Sequence, residues 1–490
     1  MAAPAPACRA GTRHLQRADR LEARKLEARL REVAAARGVA LEELAGHPDR
    51  AAELRAFHRL RAREDAIRGM QERLRCEHLL GETAEAGILD PPTIEAMNAW
   101  FRRHMVIAWQ LDPEVRDLLL TDSRELDLRQ ALRVLRARVV DATGLIEDGS
   151  ASGARGTVVG HTLDTGVFAR SPGEAPLEGG APDLVSRATD EVARALGWTS
   201  ADAVLGRLTE GLPPRIAVRL SPLPAYHAAH MDLVAVIDRG DVVLDPPSSR
   251  ARALAEAQRR ELPSLVLTAR HAGGEIPLLR FPTTIGGWQP EVVPGTRRVQ
   301  LAYKESPTGP RLWRDVVAAP AWIPPSSTPA RDLVRPTLRG GFTPKLDTFG
   351  PHYASAYGLV MLIHHQASPG TDLLHDDGIR THGSSSYASI FEGTSHGCHR
   401  LHNHRALELA GFLLAHRNHA VRGPIQLDHT RTFAHRGKLM RLAFPSRGFR
   451  YELDPPVEVE VRPGRIVGDP DTRTDPIPLP PHLARRYAFD

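Results

Sequence analysis

The spacing of the apolar residues changes once along this chain, and that change constrains the fold more than any other feature. Between about residues 13 and 138 they recur three or four positions apart, as in Leu26, Leu30 and Val33, with Arg and Glu between them. This spacing predicts amphipathic helices. Further along, short runs with Gly or Pro close by predict strands instead, at Ile216–Leu220, Leu233–Ile237, Leu265–Thr268, Ile276–Phe281 and Leu359–Ile363. We therefore expect an α+β fold, with a helical N-terminal region followed by a mostly β part.

The length of 490 residues predicts two to four folding units, because a domain usually has about 100–200 residues. We expect one helix over Asp183–Leu205, and a small hairpin where Val457, Val459 and Val461 alternate with Glu. The predicted regions are a helical N-terminal region (1–146), a connecting lobe rich in Gly, Ser and Pro (147–222), a mainly β domain (223–425), and a C-terminal hairpin with a Pro-rich tail (426–490).

Charge and cysteine content exclude several classes of protein. The net charge is +5, but 59 acidic residues are interspersed among 64 basic ones without a long run of one sign, so we expect no nucleic-acid partner. Three cysteines are too few for a disulfide framework and leave at least one free thiol. No stretch reaches the ~18 apolar residues of a membrane-spanning helix, and the first residues lack the apolar run of a signal peptide.

The chemistry that the sequence offers is concentrated in one segment, in which His382-Gly383 is followed by Ser395-His396-Gly397-Cys398. A thiol with an ordinary pKa of about 8.5 is mostly protonated at pH 7, so an active cysteine needs a nearby imidazole or positive charge. His382 and His396 are the candidates for that role. Gly397 would allow a tight turn whose N–H groups surround a developing oxyanion.

These residues carry a resemblance to a known family. The His382-Gly383 pair, the sixteen-residue interval to Cys398, and the string from Ser395 to Cys398 followed by x-Arg-Leu resemble the signature of the L,D-transpeptidase (YkuD-type) catalytic domain. Weaker similarity extends upstream through Phe281–Trp288 and Trp313–Thr328, so the resemblance covers roughly residues 262–422. One departure is His399, which stands where many members have an apolar residue.

The resemblance implies a role for each matching residue. Cys398 would be the nucleophile and His382 its general base, with the Gly383 carbonyl orienting the imidazole. Ser395, His396 and Gly397 would support the oxyanion site. Arg400 would fix the loop or bind a substrate carboxylate, because its planar guanidinium suits two-point pairing.

The resemblance also implies an L,D-transpeptidase-like catalytic domain over residues 223–425 that works without metal or organic cofactor. Its thiolate would take an acyl group from a peptidoglycan stem tetrapeptide and pass it to an amine, in the cell envelope or periplasm. The acceptor is open between another stem, a protein lysine and water, and so is the oligomeric state.

Two other functions compete with this one. The histidines near Cys398, namely His396, His399, His402 and His404, suggest a zinc-dependent hydrolase, although no paired ligand spacing is present. A non-catalytic wall-binding protein is the second alternative. Residues 80–105, and within them Gly87–Phe101, faintly resemble the turn and helix of a peptidoglycan-binding domain. Five nearby aromatic residues are expected only to pack, namely His352, Tyr353, Tyr357, His364 and His365.

Overall fold

The chain forms two compact units in a computed structural model. The first comprises residues up to Ala131 and the second begins at Leu132. The structure describes residues 7–104, 106, 118–163, 175–211, 215, 217–245, 261–293, 296, 298–326, 328–337, 341–368, 370–371, 373–386, 389–390, 395–473 and 476–479. Within these ranges, side chains are described from residue 20 to 471 and from 476 to 479.

The first unit is helical, as predicted. Its helices are α1 (Ala7–Arg37), α2 (Ala51–Cys76), α3 (Pro91–Arg103) and the start of α4 (Ser123–Thr143), with a 3-10 turn at Leu41–Gly46. Asp90 caps α3 by accepting the Thr93 N–H at 2.9 Å, and Pro91 occupies the first helical position. The turn and helix expected from Gly87–Phe101 are therefore present. Their buried face, including Trp100, packs on α2.

The later helices belong to the second unit, and they are α5 (Leu184–Ala195), α6 (Ala201–Glu210), the single turn α7 (Leu346–Phe349) and α8 (Asn403–His416). The continuous helix predicted over Asp183–Leu205 is wrong, because the structure has two. Gly197 adopts a φ of +71°, which ends α5, and the Ser200 hydroxyl starts α6 by accepting the Ala203 N–H at 3.2 Å.

The second unit is largely β. Its strands are β1 (Asp232–Asp238), β2 (Asp241–Val243), β3 (Ser264–His271), β4 (Gly274–Pro282), β5 (Gly286–Val292), β6 (Val299–Glu305), β7 (Gly309–Ala318), β8 (Val334–Pro336), β9 (Phe342–Pro344), β10 (Val360–Ala367), β11 (Leu374–Ser384), β12 (His399–His402), β13 (His419–His435), β14 (Lys438–Val461), β15 (Arg465–Val467) and β16 (Ile477–Pro478). Among the described residues, nine of these strands form the main sheet in the order β12-β11-β10-β7-β14-β1-β3-β4, with β13 beside β14. The strand predicted at Ile216–Leu220 is absent from its described residues, 217–220.

The C-terminal part differs from the small hairpin that the sequence predicts. The alternating valines end the 24-residue strand β14, which lies at the centre of the main sheet, antiparallel to β7 and parallel to β1. Val457, Val459 and Val461 are buried in the core, because alternate side chains of a strand share one face. The predicted boundary at residue 425 lies within β13, which spans His419–His435.

Helix α8 covers one face of the sheet at the end that carries β10, β11 and β12. Leu409 and Leu413 of α8 share a core cluster with Leu362 of β10 and Leu401 of β12. Since side chains alternate along a strand, the residues next to these in sequence point to the opposite face. That opposite face carries the candidate site. Within the described residues, no helix combines the length and the apolar character needed to cross a membrane.

Candidate active site

Strands β11 and β12 bring His382 close to Cys398, which directly precedes β12. The two strands are parallel neighbours in which His382 is opposite Arg400, two residues beyond Cys398. A strand spacing of about 4.8 Å and a rise of about 3.3 Å per residue put the Cα atoms of His382 and Cys398 roughly 8 Å apart. The proposed base on β11 thus lies diagonally across from the nucleophile that directly precedes β12.

The imidazole of His382 is buried and held in one orientation. Its Nδ1 lies 2.8 Å from the Gly383 carbonyl oxygen, which only accepts, so Nδ1 carries the hydrogen and Nε2 keeps its lone pair. Burial, followed by the charge of Arg400, lowers the pKa of His382 to about 3. The ring is therefore neutral at pH 7, as a general base must be.

The thiol of Cys398 is partly exposed and protonated at rest. Its Sγ lies 3.8 Å from the Gly378 carbonyl oxygen, to which the S–H donates. Burial raises the pKa of the Cys398 thiol, while the Arg380 backbone N–H and the charges of Arg380 and Arg400 oppose that rise. No hydrogen bond among the described residues joins this sulfur to His382. A separation of about 4 Å between Sγ and the imidazole stays a prediction.

Two hydroxyl groups fix the backbone at Cys398. Ser395 Oγ and Thr284 Oγ1 each donate to the Cys398 carbonyl oxygen at 2.8 Å. Thr284 Oγ1 also accepts the Arg400 N–H at 3.1 Å, and the Gly397 N–H reaches Ser395 Oγ at 3.4 Å. The connection between β4 and β5, which contains Thr284, thereby holds the backbone on both sides of His399, immediately after the nucleophile.

Both predicted glycines occupy places that a side chain would not fit. Gly397 has a φ of +107°, and an added Cβ would come within 2.9 Å of the Glu305 carbonyl oxygen. At Gly383 an added Cβ would overlap the side-chain oxygen of Asn403. That same oxygen accepts the Leu359 N–H at 3.1 Å. Asn403, the first residue of α8, therefore packs closely against Gly383, whose carbonyl orients His382.

His396 points away from this arrangement. Its side chain is 62% exposed, and its Nε2 lies 2.8 Å from Oε1 of Glu291 on β5. An exposed pair of this kind contributes little to stability. The role predicted for His396 in the oxyanion site stays a prediction, and in this structure its ring contacts Glu291.

Arg400 places positive charge beside both reacting groups. Its guanidinium favours the neutral form of His382 and the thiolate form of Cys398. The Arg400 backbone is fixed independently of its side chain, because the Thr283 hydroxyl donates to its carbonyl at 3.0 Å. Whether this cation holds a substrate carboxylate stays a prediction.

The histidines that suggested zinc do not converge. His396 contacts Glu291, His399 is buried with Nδ1 3.0 Å from the Thr284 carbonyl, and the rings of His402 and His404 stack 5.9 Å apart. In the part of the chain that the structure describes, no group of three or more His, Cys, Asp or Glu residues could hold a metal ion.

Three residues at the site were missed in the sequence. Thr284 lies in the Phe281–Trp288 segment, which was noted only because it resembles part of the L,D-transpeptidase domain. Asn403 follows β12 directly. Tyr357 was expected only to pack, yet its ring lies 5.1 Å from that of His382. Burial raises the pKa of Tyr357, and negative charge on Cys398 raises it further. Their signal is spatial, because they come from three separate segments.

Comparisons with known proteins leave the family open. No known protein family matches the chain, and neither does any curated protein. Among solved structures, the "Structure of Bdellovibrio bacteriovorus Bd1075" is 11% identical and has a TM-score of 0.16. The alignment covers 50% of this chain and 56% of that one, so this chain matches little more than half of its length. A TM-score this low carries no argument about fold or activity.

Proposed function

We propose that this protein is a cysteine acyltransferase of the L,D-transpeptidase kind, acting on peptidoglycan stem peptides. One observation carries the proposal: His382 on β11 is opposite Arg400 on the parallel strand β12, two residues beyond Cys398, and Nδ1 of the histidine lies 2.8 Å from the Gly383 carbonyl oxygen. That bond leaves Nε2 as the basic atom, which is the arrangement that a general base for a thiol needs.

In the first step Nε2 of His382 takes the thiol proton as Sγ turns from the Gly378 carbonyl towards the substrate. The sulfur then forms a bond to the acyl carbon of the third residue of a stem tetrapeptide. The C–N bond to the terminal D-alanine breaks, and the imidazolium returns its proton to the leaving amine. The enzyme is left as a thioester on Cys398.

In the second step an amine attacks the thioester, the C–S bond breaks, and His382 passes the proton of the amine back to the sulfur. An amine of another stem gives a cross-link, a protein lysine gives an anchored protein, and water gives a carboxypeptidase. This chemistry needs no metal or organic cofactor. Its substrate places the protein in the cell envelope or periplasm.

Product analysis with defined muropeptides tests the proposal. Purified protein is incubated with a tetrapeptide muropeptide, and released D-alanine and any dimer are measured by liquid chromatography and mass spectrometry. We expect both D-alanine and an L,D-linked product, and loss of both in Cys398→Ser. Release of D-alanine without a dimer would identify water as the acceptor.

The alternatives predict other results. A zinc hydrolase would lose activity to a chelator and regain it when zinc is added. It would keep its activity after alkylation of Cys398 only if that thiol were not a zinc ligand. A wall-binding protein would retain muropeptides or sacculi without turnover. Either result in place of D-alanine release refutes the proposal.

A further inference from the structure

His399 follows Cys398 directly in sequence but points to the opposite, buried face of the sheet. Its side chain is fully buried, and Nδ1 lies 3.0 Å from the Thr284 carbonyl oxygen. A carbonyl only accepts, so Nδ1 carries the hydrogen and donates. Burial of an imidazole is unfavourable unless its polar atoms form hydrogen bonds. Nδ1 of His399 has such a bond, and its acceptor belongs to a residue that contacts the backbone of the nucleophile, whereas no hydrogen bond within the described part of the chain is found for the buried Nε2.

Thr284 connects His399 to the nucleophile. Its backbone carbonyl accepts from His399, while its hydroxyl donates to the Cys398 carbonyl at 2.8 Å and accepts the Arg400 N–H at 3.1 Å. The position of the Thr284 backbone therefore sets the position of the Cys398 carbonyl. Losing the bond from His399 would free the connection that fixes it.

A second buried histidine completes the arrangement beneath the site. The ring of His364 on β10 lies 5.1 Å from that of His399. Trp313 donates its indole N–H to Nε2 of His364 at 2.9 Å, and the Thr381 hydroxyl lies 2.8 Å from the same nitrogen. An indole only donates, so Nε2 of His364 is the acceptor. Thr381 immediately precedes His382, so His364 contacts the strand of the proposed base while its ring packs against that of His399.

Both rings are neutral for the same reason. Burial lowers the pKa of His399 to about 4 and that of His364 well below its usual value. A neutral His399 with its hydrogen on Nδ1 is the form that can donate to Thr284 and keep doing so through the neutral pH range. The geometry is therefore stable where the enzyme would work.

We propose that His399 is a positioning residue for Cys398, which it fixes through Thr284 from the buried side of the sheet. The inference rests on the proposed function, because it takes Cys398 as the nucleophile. It assigns a purpose to the residue at which this sequence departs from the family that it resembles. An apolar residue at this position could fill the space but could not donate to Thr284.

The test compares His399→Leu, which removes the donor, with His399→Asn, whose amide N–H stands near the position of Nδ1. Alkylation of Cys398 by iodoacetamide is followed by peptide mass spectrometry, with the exposed Cys76 as a reference thiol in the same sample. We expect His399→Leu to change the Cys398 rate relative to Cys76 and to lower kcat by roughly tenfold or more with KM little changed. His399→Asn should recover part of the loss.

His416→Leu is the matched control, since His416 is another buried histidine of this unit and contacts the carbonyls of Ala228 and Gly144. It should lower thermal stability without changing the rate at Cys398. If His399→Leu does not fold, His399→Met takes its place in the comparison with His399→Asn, because methionine also removes the donor to the Thr284 carbonyl.

Unchanged alkylation and kcat in a folded His399→Leu variant overturn the inference, and so does an equal effect from His416→Leu. The proposed function fails separately, because alkylation needs no peptidoglycan. Wild-type protein that never releases D-alanine, while His399→Leu still changes alkylation at Cys398, refutes the activity and supports the positioning role.

Discussion

Replacing Gly397 by alanine tests whether the backbone beside Cys398 must be glycine. A non-glycine residue in the left-handed region costs about 1–2 kcal/mol, and reduced freedom of the unfolded chain returns about 0.4–1 kcal/mol of that. Because Gly397 has a φ of +107°, an alanine at this position would carry this strain. In addition, its Cβ would lie 2.9 Å from the Glu305 carbonyl oxygen and 3.2 Å from Cδ1 of Ile379, an overlap of the kind that costs about 1–3 kcal/mol.

Gly437, in the turn between β13 and β14, provides the matched control. Its φ is +75°, but nothing lies within 4 Å of an added Cβ, so Gly437→Ala carries backbone strain without overlap. We expect Gly397→Ala to be destabilised more than Gly437→Ala by about 1–3 kcal/mol. Relief of the overlap must move the loop that carries Cys398, and a displacement approaching 1 Å can lower turnover by about a hundredfold.

The assay combines the midpoint of thermal unfolding with D-alanine release from a tetrapeptide muropeptide. Gly437→Ala should keep wild-type turnover, whereas Gly397→Ala should lose most of it at a temperature where both are folded. Equal midpoints and equal turnover in the two variants would refute the reasoning, since the overlap with Glu305 would then have no consequence.

Three further predictions concern charge, pH and covalent inhibition. Arg400→Lys should lower turnover while leaving the folded state nearly as stable, because lysine keeps the charge and the backbone bonds but loses the planar pair of donors. An unchanged kcat would contradict this prediction. Between pH 6.5 and 5 the free energy of unfolding, measured in urea, should fall by roughly 1.6 kcal/mol for each of His382 and His399, because their native pKa values of about 3 and about 4 let only the unfolded chain take up a proton. A His399→Leu variant should lose less stability than wild type over this range. By the family resemblance, a carbapenem should add one covalent mass to Cys398, absent in Cys398→Ser and formed more slowly in His382→Ala.

The change in the spacing of apolar residues was sufficient to predict the helical N-terminal region and the largely β part. That spacing reflects which side chains a single helix or strand buries. It failed where long-range pairing decides the structure. The valines of β14 alternate as an edge hairpin would, and only the pairing with β7 and β1 makes them central. The helix after Asp183 was predicted too long, because one glycine in the left-handed conformation outweighed the apolar pattern.

The residues proposed for the site could be named from the sequence where they are close together in it. Strand pairing places His382 opposite Arg400, two residues beyond Cys398, an arrangement that their spacing alone does not fix. Thr284, Asn403 and Tyr357 come from segments that the fold brings together, so no local pattern identifies them. Conversely, His396 had a persuasive position in the sequence, but its ring contacts Glu291 at the surface.

The most direct test of the central claim is to trap the acyl-enzyme. Wild-type protein, Cys398→Ser and His382→Ala are each mixed with a tetrapeptide muropeptide, quenched in acid and examined by intact mass and peptide mapping. The account predicts a single acyl adduct on Cys398, released by hydroxylamine as a thioester, absent in Cys398→Ser and formed more slowly in His382→Ala. Release of D-alanine by Cys398→Ser at the wild-type rate, or an adduct on any other residue, would contradict it.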